Sequence, residues 1–293
     1  MKNVAGSGGK WLDVSAERFP GWIASFSIRH GVSGVGGTLE HSGVPGSDQT
    51  PLAPGAALTV TFGDDHVSFT AEDGSVAECY PPFPPPGGVA MLGIPGADAA
   101  IGTAVGPASD AARTPAPSCA ADVAAISEAL SAHARRPRTV GVLLVRLGGY
   151  AAGVFTGYPP ALQEAKVGSR LVHGRSAAGG WSQHRFARRR EKQANEALDA
   201  AAAAAVLIFT TRRPQPPTPG RPVAAGQPVA TRLDAVVLGG DRRAVAELRD
   251  DPRLVPYFRL ATERFLTVPD PKRAVLLETP RLFTAVRIRL TET

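Results

Sequence analysis

Residues 139–157, TVGVLLVRLGGYAAGVFTG, constrain the fold most. The first nine are almost all apolar and rich in β-branched side chains, as a short buried strand would be. Gly148 and Gly149 then supply a tight turn, and AAGVFTG at 151–157 reads as a second strand. LQEAKVGSRLVHGR at 162–175 reads as a third, more polar strand with its charges on one face. Three strands in a row with tight turns predict an antiparallel meander.

The rest of the pattern adds helices to that sheet. ADVAAISEALSAHAR at 120–134 is helical by period, and a long helix is expected from about His184 to Ala205. A proline-rich loop, RRPQPPTPGRP at 212–222, interrupts. LDAVVLGG at 233–240 is a buried-type strand, and Asp241 is a natural N-cap for a helix over 242–250. RFLTV at 264–268 and AVRIRL at 285–290 read as further strands. Upstream, Trp11, Phe19, Trp22, Ile23, Phe26 and Ile28 suggest a short helix that buries aromatics. LTVTF at 58–62 and HVSFT at 66–70, joined by Gly63-Asp64-Asp65, carry a hairpin signal. The expected class is α/β, with a small α+β domain in front.

A chain of 293 residues suggests about two domains. Its 32 glycines and 27 prolines are concentrated in loops, above all from YPPFPPPGG at 80–88 to about Pro117. Dense proline fixes extended geometry and prevents a packed ladder, so that stretch reads as a linker. The expected organisation is a flexible start at 1–10, a small acidic domain at 11–80, a Pro/Gly/Ala-rich linker at 81–119 and a basic domain at 120–293.

Charge supports the division. Residues 1–125 hold 5 Lys/Arg and 12 Asp/Glu, whereas residues 126–293 hold 27 and 14. Such a split points to a polyanion partner for the basic part, most often nucleic acid, with an arginine-rich solvated surface as the alternative. The acidic part has two open roles, docking a basic protein or shielding the basic domain from stray RNA. Cys79 and Cys119 have neither metal-type spacing nor a disulfide framework. The N-terminus lacks an apolar signal region, and the longest apolar run, Ala200 to Phe209, is about half a bilayer span. A soluble cytoplasmic protein with no membrane partner is expected.

Familiar catalytic motifs fall away on spacing. GSGGK at 6–10 has Val4 where a phosphate loop needs glycine and Trp11 where it needs Ser or Thr. GVSGVGG at 31–37 lacks the dinucleotide spacing. The six histidines include no H-x-x-x-H or H-E-x-x-H pair, and no G-x-S-x-G elbow is present. No metal and no small-molecule cofactor is expected.

What remains is SAAGGWSQHRFARRREKQANEAL at 176–198. Gly179 and Gly180 let backbone approach a ligand closely. The helix start behind them presents unpaired N–H groups and partial positive charge. Segment 184–193 carries five Lys/Arg against the single acid Glu191, with Arg185, Arg188, Arg189 and Lys192 at i, i+3, i+4, i+7 on one helix face. A stripe of cations is a surface for phosphates. Gln183 has no pKa near neutrality, but its amide can orient a water or polarise a carbonyl, and its N–H can stabilise an oxyanion. Trp181 either stacks on a base or packs on its own loop.

The run from Ala177 to Arg190, A-A-G-G-W-S-Q-H-R-F-A-R-R-R, resembles the loop and helix of the Vms-like release factors (VLRF), in their actinobacterial-type branch. These are related to the catalytic domain of eukaryotic and archaeal class I release factors. The resemblance covers about residues 126–293 and implies an RNase H-like fold for the basic domain. It also implies a role in ribosome rescue, freeing nascent chains from peptidyl-tRNA on the large ribosomal subunit. Gln183 would be the essential catalytic residue, with Gly179 and Gly180 shaping its loop. Trp181, Ser182, His184, Arg185, Arg188, Arg189, Arg190 and Lys192 would contact tRNA or ribosomal RNA.

One departure matters. Release factors proper carry Gly-Gly-Gln, whereas here Trp181 and Ser182 intervene, enough extended backbone to move the glutamine by about 6–7 Å. Ester hydrolysis and cleavage of the tRNA 3′ end both stay open. So does a non-catalytic tRNA- or ribosome-binding protein built on the same basic helix.

Overall fold

The computed structural model describes residues 9–30, 58–85, 87–93, 117–118, 120–146, 148–169, 182–213, 229–230 and 232–293. It divides into two compact units, one of residues 1–135 with 284–293 and one of residues 136–283. The first holds 8 Lys/Arg against 14 Asp/Glu and the second 24 against 12, so net charges of −6 and +12 sit on separate units.

The acidic unit contains β1 (Lys10–Val14), α1 (Phe19–His30), β2 (Leu58–Phe62), β3 (Val67–Thr70), β4 (Val76–Tyr80), β5 (Pro117–Ser118) and α2 (Ala120–Ala134). Trp11 lies in β1 and is about half exposed, at 47%. It is therefore not part of the expected aromatic helix, which buries only Phe19, Ile23 and Phe26 as its large side chains. The hairpin forms where expected: β2 and β3 pair antiparallel, and Gly63 N–H donates to His66 O at 2.9 Å.

The proline segment is partly built in. Pro81 and Pro82 are buried, and His133 Nε2 on α2 donates to the carbonyls of Pro82 and Phe83 at 3.1 and 3.0 Å. Residues 94–116 of the expected linker lie outside the described residues.

The second unit is built on β6 (Arg138–Arg146), β7 (Gly149–Gly157), β8 (Ala161–Ser169), α3 (Ser182–Thr210), a small pair β9 (Arg212–Arg213) and β10 (Val229–Ala230), β11 (Ala235–Gly240), α4 (Arg242–Leu248), α5 (Val255–Phe258), β12 (Ala261–Leu266) and α6 (Arg273–Phe283). The expected meander forms as β6-β7-β8, fully antiparallel. Sheet order is β12-β11-β6-β7-β8, with β6, β11 and β12 mutually parallel.

This sheet is covered on both faces, which explains why TVGVLLVRL is apolar throughout instead of alternating. Leu143 and Val145 join Ala152, Val154, Val236 and Leu238 in a core cluster with Ala201, Ala202, Ala205, Ile208 and Phe209 of α3. Alanines at the contact let the helix approach the strands closely. On the other face, Phe283 of α6 meets Phe155 edge-on at 5.8 Å, and Leu276 is fully buried.

The last strand, β13 (Val286–Thr291), belongs to the first unit, where the order is β1-β13-β4-β3-β2-β5. The expected basic domain at 120–293 therefore differs from the compact unit at both ends, since α2 and β13 belong to the other unit. β13 pairs with β1 and β4 in an antiparallel register that buries Val286, Ile288 and Leu290.

Candidate functional site

Two strands set the geometry of the site. Because β6 and β11 run parallel, Arg146 and Gly240 emerge at the same edge of the sheet. Gly149, where β7 begins, pairs with Ser169, where β8 ends, so the chain enters residues 170–181 from that same edge. It returns as α3, 29 residues long and about 43 Å by its rise.

The candidate residues fall at this return. Gly179, Gly180 and Trp181 lie outside the described residues. Ser182 is the first helical residue, two positions earlier than the expected start, so Gln183 is the second. The N–H groups of Ser182, Gln183 and His184 are then among the first four, which have no acceptor within the helix. They carry the positive end of the helix dipole. Helical backbone through 182–192 holds Arg185, Arg188, Arg189 and Lys192 in the i, i+3, i+4, i+7 register, with Arg190 beside them; Lys192 is exposed.

Sequence reasoning did not find the cleft beside the middle of this helix. It has a volume of about 450 Å³ and lies outside the carboxyl ends of β6 and β11, the position at which open α/β sheets bind ligands. Arg146, Asn195, Asp241, Arg243 and Glu247 line it, with Gly148 at the β6–β7 turn. Asp241 is the expected N-cap: its carboxylate accepts from Arg243 N–H at 2.8 Å, and its own N–H donates to Val145 O at 2.7 Å. Arg242 is drawn away, its guanidinium 4.4 Å from the Phe265 ring centroid, which leaves Arg243 at the cleft. No single motif marks this site, because its residues come from three separate segments.

Arg253 fixes α3 against this end of the unit. It reaches Asp199 on α3 and Asp251, each at 2.6 Å. The Arg253 hydrogen bonds hold the Asp251 carboxyl below the usual carboxylate range. A lowered folded pKa means that this stabilisation is present above the unfolded pKa of about 3.9 and is lost as pH falls through the folded value. Melting temperature should thus be flat near neutrality and drop below about pH 4, and Asp251→Asn should lower the neutral-pH value while shallowing the acid drop. Thermal melts from pH 3 to 7 check this.

Among the described residues there is no group of three or more His, Cys, Asp or Glu placed to hold a metal ion, and no helix long and apolar enough to cross a membrane.

A family model described as Actinobacteria/chloroflexi VLRF1 release factor matches residues 138–289, from the start of β6 into β13. No curated protein matches the chain.

Proposed function

The chain belongs to the Actinobacteria/chloroflexi VLRF1 release-factor family, and from that premise we propose that it is a ribosome-rescue enzyme. Its substrate would be peptidyl-tRNA on stalled large ribosomal subunits, from which it frees the nascent chain. The observation that carries this reading is the family match across the basic unit, whose long arginine-rich helix has Ser182 and Gln183 as its first two residues. The net charge of +12 on residues 136–283 agrees with an RNA partner. A meander followed by two parallel strands, with helices on both faces, supports an RNase H-like arrangement for this unit.

Gln183 acts where the helix dipole points. Its side-chain amide orients the attacking water or hydroxyl, while N–H groups at the helix start stabilise charge that develops on the oxygen under attack. Gly179 and Gly180 let backbone pass close to the substrate. Trp181, Ser182 and His184 contact the tRNA end, and Arg185, Arg188, Arg189, Arg190 and Lys192 hold phosphates of tRNA or ribosomal RNA. No metal or cofactor takes part in this scheme. In ester hydrolysis, water oxygen bonds to the peptidyl carbonyl carbon and the tRNA 3′-terminal oxygen leaves with a proton. In cleavage of the tRNA 3′ end, the peptide departs with nucleotides attached.

The test uses large subunits carrying peptidyl-tRNA labelled in both the peptide and the RNA. Added protein should free the peptide, and the RNA label then reports which bond was cut: an intact CCA end means ester hydrolysis and a shortened one means nuclease action. Peptide that stays on the subunit through prolonged incubation would overturn the proposal.

A further inference from the structure

We propose that the cleft at the carboxyl ends of β6 and β11 is a second RNA site, a pocket for one ribonucleotide of the strand whose 3′ end Gln183 serves. It rests on the reading of the chain as a tRNA-acting protein but involves none of the loop-and-helix residues assigned above.

Size is the first argument. A volume of about 450 Å³ lies within the ~300–1,000 Å³ range of small-ligand sites. Its lining is the second. Arg146 spends one N–H on Val268 O at 3.2 Å and is otherwise exposed, leaving further donors of its five for a ligand. The Arg243 side chain is 90% exposed and meets Glu247 only at 3.6 Å, an ion pair that solvent makes weak and easily exchanged. Two guanidinium groups at one cleft suit a phosphodiester.

A bare anion site would not also hold carboxylates. Asp241 is committed to capping α4, but Glu247 and Asn195 offer an acceptor and a mixed donor–acceptor amide. Those groups match the rest of a ribonucleotide: the 2′-hydroxyl, which both donates and accepts, and the polar edge of a base. Mixed polarity in one cleft therefore favours a nucleotide unit over phosphate alone.

Placement is the third argument. Asn195 lies twelve residues beyond Gln183 on one helix, about 18 Å by helical rise. At ~3.4 Å per stacked nucleotide that is about five nucleotides. A strand lying along α3, across the cationic register of Arg185 to Lys192, would reach the cleft with its 3′ end still at Gln183.

The probe is a fluorescent RNA minihelix ending in 3′-CCA, titrated by anisotropy at several salt concentrations against a DNA copy. Arg146→Ala/Arg243→Ala should weaken RNA binding by about tenfold and reduce the log–log salt slope by about 1 to 2. Asn195→Leu fills the cleft without changing charge. It should weaken RNA binding and narrow the preference for RNA over DNA while leaving the salt slope as in the parent. If the parent binds and Asn195→Leu behaves identically to it, the pocket is overturned, and any loss in the arginine variant is surface electrostatics. A parent that fails to bind the minihelix even at low salt overturns the underlying tRNA reading instead.

Discussion

Gln183→Ala is expected to slow peptide release by at least about a hundredfold while changing tRNA affinity by less than about twofold. Losing one positioned polar group at a developing oxyanion costs about 10²–10³ in rate in well-studied hydrolases. Loss in the chemical step with binding retained marks an interaction made only in the transition state. Structure adds a reason for this split. Gln183 is the second residue of α3, whereas the cationic register begins at Arg185 and continues for two turns. Removing the amide leaves every arginine and lysine of that register in place. The measurement is single-turnover release from large subunits, alongside equilibrium binding of the same tRNA. Equal release by variant and parent would remove the catalytic role. Release absent from both, with RNA affinity intact, would point to the non-catalytic binder.

Those parts of the molecule whose cause is local are legible in the sequence. The meander is readable because Gly148 and Gly149 separate two apolar runs, and Asp241 because capping needs only one carboxylate and the next N–H groups. Trp11 misleads because its apolar neighbours suggest one helix; the turn at residues 16–18 separates a strand from α1. The partners of β13 are hidden for a different reason. Val286, Ile288 and Leu290 alternate as a strand should, but nothing in them says that β1 and β4, some 200 residues earlier and more, are the neighbours.

Helix α6 is amphipathic, with Leu276, Thr279 and Phe283 on its buried face, but its proline argues against a helix. RAVLLETPRLF places Pro280 inside the helix, where its missing N–H would leave Leu276 O without its helical donor. The Thr279 hydroxyl donates to Leu276 O at 2.7 Å and takes that place. At the candidate site the motif names the residues, but the cleft further along α3 needs Arg146, Asn195 and Arg243 to converge from a strand end and two helices. Convergence of that kind is a property of the sheet, and no window of sequence contains it.

Gly240→Ala should destabilise the basic unit severely, by about 3 kcal/mol or more. Gly240 closes β11 with φ +101°, a conformation that side-chain-bearing residues rarely adopt. A Cβ built there would overlap the Val145 carbonyl oxygen, with the Val145 carbonyl carbon 2.8 Å away. Those atoms are backbone of the central strand and cannot swing aside as a side chain would. Val145 O is also pinned by Asp241 N–H, so relief would cost the cap of α4 and the edge of the cleft. For a unit of this size the loss corresponds to a melting temperature lower by about 6–12 °C. Gly21→Ala is the control: it lies in α1, and its added Cβ would meet nothing within 4 Å. Lower backbone entropy in the unfolded chain should make that change neutral or stabilising by up to about 1 kcal/mol. Circular-dichroism melts of the two variants separate strain at one position from a general effect of replacing glycine. Equal melting temperatures for Gly240→Ala and the parent would show that β11 can end without its left-handed residue, and the cleft geometry built on that turn would have to be revised.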